Sequence, residues 1–148
     1  MNTDCGFGDF YNFIIDNNIQ LKNYTGVDIF PEFIQAAKKK YPNGNFAVRN
    51  IYDEQFNESE FDYIFASGIF SIPHQDWDLH FISTIDLFLY YSRFKIGFNL
   101  LVREKRIEYP LYYSTIETIN SILNCYSARY NYNSSNNILT VFINKKEM

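Results

Sequence analysis

The chain has 148 residues, 47% of them hydrophobic, 20% aromatic and 20% charged, with a net charge of −4. That length suits one ordinary domain over residues 1–148 and is too short for an eightfold strand–helix barrel, which needs about 250 residues. The apolar content excludes a disordered chain, and the acidic balance argues against a nucleic-acid or anionic-membrane partner, since phosphate binding needs clustered Lys and Arg.

The predicted elements begin with a glycine turn, Cys5-Gly6-Phe7-Gly8-Asp9. A helix follows, with Phe10, Phe13 and Ile14 on one face. The segment from Tyr24 to Ile29 reads as a short buried strand. Pro31 suits the first turn of a second helix, which runs to Lys40, buries Phe33, Ile34 and Ala37, and ends in three lysines at its negative pole. Phe46 to Val48 is a brief strand. Phe61 to Ala66 is nearly all apolar and predicts a strand covered on both faces.

A loop from Ser67 to Asp76 leads into a helix from Trp77 to Tyr91, with Phe81, Ile82, Ile85, Phe88 and Leu89 inward. Lys95 to Val102 is a strand. Ser114 and Glu117 have the spacing of a capping box for a helix that turns Ile116, Ile119 or Asn120, and Leu123 inward. Strands near Ser127–Tyr132 and Ile138–Ile143, joined by an Asn/Ser-rich turn, predict an antiparallel hairpin, because so short a link cannot cross over to a parallel partner. The alternation gives an α/β, mostly parallel sheet with a C-terminal antiparallel hairpin.

Two cysteines, Cys5 and Cys125, make no disulfide framework, the first residues lack a signal-peptide pattern, and no apolar run approaches the ~20 residues of a membrane span. A cytoplasmic protein without a membrane partner is the expectation. Gly-x-Ser-x-Gly and Walker patterns are missing, so hydrolase and P-loop readings lack support. His74, Asp76, Asp78 and His80 straddle a helix start and contain no cysteine; no metal site is assigned to them.

Gly6 and Gly8 open a helix where backbone amides can approach a ligand, although an ordinary tight turn explains them as well. Asp28 lies twenty residues after Gly8 at a strand end, where doubly wound sheets place a carboxylate for ribose hydroxyls; its bland alternative is a helix cap ahead of Pro31. With these motifs in order, the chain resembles the class I S-adenosylmethionine-dependent methyltransferases of the small-molecule type. Further matching segments are Pro31 to Ala37, Asn50-Ile51 and Phe61 to Phe70.

The resemblance implies a Rossmann-like fold and S-adenosylmethionine as cofactor. Gly6 and Gly8 would pass under its methionine part, and Asp28 would hold the ribose. Ile29 and Phe30 would cover one adenine face and Ile51 the other, with Asn50 at the adenine edge. Ser67 would line the mouth near the sulfonium. His74 is the candidate general base toward a small-molecule acceptor. Two departures stand out. Asn2 replaces the usual acid and Asp4 replaces the first glycine of the motif, so that Asp4 would meet the methionine amino group. The first strand is also largely missing, because only three residues precede Asp4. That shortage predicts an open seam and self-association through it, or a stub supplied by Met1 to Asp4. It also motivates the alternative of a truncated, catalytically inactive binding or scaffold module. A nicotinamide dehydrogenase would want a fuller glycine motif.

Overall fold

A computed structural model describes residues 1–107, 110–126, 128–133 and 135–145. The chain divides into two units, residues 1–56 and 57–148.

The first unit holds β1 (Asn2–Thr3), α1 (Asp9–Asp16), β2 (Gly26–Asp28), α2 (Pro31–Lys40) and β3 (Phe46–Val48). β2 pairs in parallel with β1 on one side and β3 on the other. The first strand is therefore a two-residue stub, which sets Asn2 opposite Gly26 and Thr3 opposite Val27. The Asn2 amide donates to Thr25 at 2.8 Å and the Cys5 amide to Val27 at 3.0 Å, so this flank of β2 is paired from Thr25 to Val27. Cys5, Ile34, Ala37 and Phe46 form the core, with the rings of Tyr11, Tyr24 and Tyr41 packed against it. Phe13 is 53% exposed, against the expectation that it faces inward. In this eight-residue helix Ile14 is the buried residue, and Tyr11 turns its ring to Tyr41 and Phe46 at the core.

The second unit holds β4 (Phe61–Ala66), a 3-10 turn (Ile69–Ser71), α3 (Trp77–Tyr91), β5 (Ser92–Leu101), α4 (Ile116–Leu123), β6 (Ala128–Asn133) and β7 (Ile138–Asn144). β4 pairs in parallel with β5; β7 runs antiparallel to both β5 and β6, as the predicted hairpin requires. α3 buries Phe81, Ile85 and Phe88 along one stripe. An aromatic stack of Phe70, Trp77, Phe81, Phe98 and Tyr112 fills this core.

Two expectations fail here. β4 is covered on both faces only at its end: Asp62 and Tyr63 are exposed, and Ile64 and Ala66 are buried. The start of the strand is held instead at the surface, where Asp62 pairs with Arg93 at 2.9 Å. The cap of α4 is Thr115, whose hydroxyl accepts from the Thr118 amide at 3.1 Å, and not Ser114. The backbone of Ser114 is already committed to the end of β5: its amide donates to Leu101 and its carbonyl accepts from Arg103. Tyr109, a candidate wall for an acceptor pocket, lies outside the described residues. Among the described residues no helix is long and apolar enough to cross a membrane.

Candidate functional site

The glycine turn of the first unit is built from residues with left-handed backbone. Asp4, Gly6 and Gly8 have φ of 55°, 53° and 83°. Only glycine takes this region without cost, and Asp is among the few side chains that tolerate it. The two glycines differ in what surrounds them. A Cβ on Gly8 would meet the Tyr41 ring at 3.0 Å and Phe46 at 3.1 Å, so Gly8 lets the turn pack on its own core. A Cβ on Gly6 would meet nothing within 4 Å. Gly6 therefore leaves open space above the backbone, which is where a ligand can approach the chain closely.

Asp28 closes the other side. It ends β2, is 3% exposed, and both of its oxygens are engaged: Oδ2 accepts from the Gly6 amide at 2.9 Å and Oδ1 from the Phe30 amide at 3.0 Å. Each carboxylate oxygen retains a second lone pair, so hydroxyls can still be accepted. Its side chain does not cap α2, whose cap residue, Phe30, accepts no side-chain bond.

Asp4 is partly buried nearby, and its carboxyl is pushed up to about 6 by burial first and by the charge of Asp28 second. The Cys5 thiol is pushed up to about 12, again by burial and then by Asp28, and is inert as a nucleophile. Asn2, where the family carries an acid, is buried and accepts from the Tyr24 hydroxyl at 3.1 Å.

Apolar surface flanks this corner. Ile29 and Phe30 are about half exposed, at 53% and 48%. The Phe33 ring sits 4.7 Å from Phe7 and 5.3 Å from Phe30, extending the strip with two residues the sequence reading assigned elsewhere or nowhere. Ile51 is 4% exposed and sits in the interior, which leaves little of it for an adenine face. Asn50 follows β3, where the Arg49 amide donates to the Asp28 carbonyl. Its side chain donates to Asp53 at 2.6 Å and accepts from the Tyr52 amide at 3.2 Å, keeping one further N–H and one lone pair. A cavity of about 450 Å³ also lies in this unit, between the end of α1 and the segments around Tyr24 and Asn45. It sits at the amino end of β2, away from Asp28, and none of the sequence-predicted site residues lines it.

In the second unit Ser67 is exposed just past the carboxyl end of β4. Asn99 of β5, which the sequence reading passed over, holds it: Asn99 Nδ2 donates to Ser67 Oγ at 2.8 Å, and the Gly68 amide donates to Asn99 Oδ1 at 2.9 Å. His74 is exposed. Its Nδ1 accepts from the Asp76 amide at 3.3 Å and its ring stacks on His80 at 4.5 Å. His80 is shifted down, by burial and then by its neighbour His74. Among the described residues no three His, Cys, Asp or Glu side chains gather to hold a metal ion.

The methyltransferase domain family matches residues 2–87, a stretch that contains the glycine turn, Asp28 and β4. The chain belongs to that family. The magnesium protoporphyrin IX methyltransferase of Synechocystis PCC 6803, a similar solved structure, holds S-adenosylmethionine. The chain is 30% identical over 104 residues to Rv1506c, a methyltransferase-family protein of Mycobacterium tuberculosis, covering 66% of this chain and 59% of that relative. It thus spans about three-fifths of the length of the curated relative it matches. Among solved structures it is similar to the magnesium protoporphyrin IX methyltransferase of Synechocystis PCC 6803 with bound S-adenosylhomocysteine (TM-score 0.75, 12% identity, 98% of this chain and 73% of that one). It is also similar to the PH0226 protein of Pyrococcus horikoshii OT3 (TM-score 0.72, 14% identity, 98% and 80%). The plantazolicin methyltransferase BpumL, solved with a substrate analogue and S-adenosylhomocysteine, gives a TM-score of 0.72 at 16% identity, over 99% and 76%. These similarities show the Rossmann-like methyltransferase fold.

Proposed function

We propose that the chain is a single methyltransferase domain, residues 1–148, that moves a methyl group from S-adenosylmethionine to an oxygen, nitrogen or carbon nucleophile of a small molecule. The observation that carries this reading is the open space over left-handed Gly6, beside a buried Asp28 that accepts the Gly6 amide. A backbone that a Cβ would not obstruct, next to a fixed carboxylate, suits a nucleoside with an extended tail. When bound, the cofactor supplies an activated methyl on a cationic sulfur, and the chain has to orient it and exclude water. Gly6 and Gly8 cradle the tail, Asp28 accepts the ribose hydroxyls, Ile29 and Phe30 support the adenine with Ile51 behind, Asn50 meets its edge, and Asp4 meets the amino group of the tail.

His74 is the base that takes the acceptor's proton. With Nδ1 accepting from Asp76, a neutral His74 carries its proton on Nε2, so work as a base at Nε2 takes the other tautomer and gives up that bond. Net acidity supports an acceptor other than nucleic acid, and a cytoplasmic setting accords with two cysteines that stand free. Self-association is a further part of the proposal, supported by the two-residue length of β1; light scattering of the purified chain tests it.

One observation favours the rival, a catalytically inactive binding module: a carboxylate at the half-buried, left-handed position 4, where the family has glycine. Calorimetry with S-adenosylhomocysteine separates the two. Micromolar binding supports the transferase; no binding by the folded chain supports the rival.

A further inference from the structure

The cavity of about 450 Å³ in the first unit has the size of a small-ligand site, which runs from about 300 to 1,000 Å³. Its two walls are held by the backbone. On one side α1 closes with a paired stop: the Asn18 amide donates to the Ile15 carbonyl and the Ile19 amide to the Ile14 carbonyl, both at 3.0 Å, with Asn18 left-handed at φ 53°. On the other, the Gly26 amide donates to the Asn45 carbonyl at 2.9 Å, and Asn45 Nδ2 donates to the Thr25 hydroxyl at 3.2 Å. Walls fixed in this way spare a ligand the cost of ordering them.

The lining has a narrow chemistry. No acid lines the cavity, and Lys22 is its single charged group. Among the described residues Lys22 has neither an ion pair nor a hydrogen bond, and Asp16, which ends α1, is taken by Asn12 at 2.7 Å. The side chains of Asn18, Asn23 and Asn43 also line the cavity and are likewise uncommitted among the described residues. An amide side chain offers donors and an acceptor together, as a hydroxyl does, so the two match in either direction. Tyr24 adds its ring, because its hydroxyl is spent on Asn2 at 3.1 Å. We infer that this cavity is a second ligand site, for a sugar that carries one negative group, a phosphate or a carboxylate. Lys22 takes the anion, the three asparagine amides take hydroxyls, and the Tyr24 ring meets the C–H face of the sugar. A bare anion leaves the amides without use, and a neutral sugar leaves Lys22 without a counterion. The site is separate from the glycine turn and Asp28, so it stands apart from the cofactor reading.

The test is an NMR titration of the whole chain with glucose 6-phosphate, glucuronate, glucose and inorganic phosphate. At least one of the two anionic sugars is expected to bind at millimolar concentration or below, about tenfold or more tighter than glucose and than inorganic phosphate. Which of the two binds tells phosphate from carboxylate. Lys22→Gln is expected to bring that sugar down to the level of glucose, and Asn43→Ala to weaken it as well. Both side chains are exposed, so melting temperatures should stay near that of the unmodified chain, and S-adenosylhomocysteine affinity should not move in either variant. The inference falls if neither anionic sugar binds, if inorganic phosphate binds as tightly as glucose 6-phosphate, or if either variant binds the anionic sugar as the parent does. A chain that binds the anionic sugar and not S-adenosylhomocysteine upholds this inference and overturns the cofactor reading; the opposite result overturns this inference alone.

Discussion

The Gly6 amide donates to Asp28 Oδ2 at 2.9 Å across 22 residues of sequence. The bond ties the glycine turn to the end of β2, so the carboxylate proposed to hold the ribose also fixes the backbone proposed to cradle the tail.

Asp28→Ala should therefore lose two things at once. Removing a charge-assisted acceptor costs about 1.5–3 kcal/mol per bond, which is at least about tenfold in affinity for S-adenosylhomocysteine. The Gly6 amide, deprived of its partner, should also exchange its hydrogen faster. Unchanged affinity in calorimetry would remove Asp28 from the ribose role, whatever happens to the exchange rate.

Asp4 gives a prediction about pH and stability. Its carboxyl lies at about 6 in the folded chain against an ordinary 3.8, raised by burial and by Asp28, with Cys5 the other titratable neighbour coupled to it. The folded state thus holds this proton more tightly than the unfolded one between those values. Stability from this group is highest below about pH 4, falls as pH rises to about 6, and is level above. Asp4→Asn keeps a side chain that tolerates left-handed backbone and removes the charge. Denaturation at a series of pH values should show the variant gaining on the parent between pH 4 and 6. A constant difference over that interval would contradict the assignment.

Much of this arrangement is legible along the chain, and the failures have a common cause. Glycines that need positive φ, an aspartate at a strand end and a short hairpin turn announce themselves within a few residues. Asn99 does not, because it lies inside a strand and its partners are 31 and 32 residues away. Phe13 is apolar at a position that periodicity turns inward, yet Tyr11 is the ring of α1 that packs on Tyr41 and Phe46; Tyr63 lies exposed at the start of β4, next to Asp62, which pairs with Arg93. Ser114 has the right spacing for a cap, but its backbone was taken by β5, a tertiary pairing that no local pattern contains.

That last displacement is itself testable. Thr115→Ala removes the hydroxyl that caps α4 and should cost about 0.5–2 kcal/mol. Ser114→Ala should cost nothing or stabilise, since the Ser114 hydroxyl is fully buried with no hydrogen-bond partner among the described residues. Chemical denaturation of the two variants ranks them directly, and the reverse order would restore Ser114 as the cap.

His74 stacks on His80 with the rings 4.5 Å apart and 13° from parallel, and its Nδ1 holds the Asp76 amide. Two roles follow: base toward the acceptor, or brace for the loop ahead of α3. Two variants separate them. His74→Ala removes both roles. His74→Asn keeps an acceptor near the place of Nδ1 and so keeps the brace, but cannot take a proton near neutral pH. If His74 is the base, both variants lose about 10²–10⁴ in turnover, S-adenosylhomocysteine affinity is unchanged, and the acid limb of the pH–rate profile disappears. In both variants His80 should titrate higher, because the like charge that lowers it is gone. A transferase that works normally with Asn at this position and poorly with Ala would make His74 a brace and leave proximity as the source of rate.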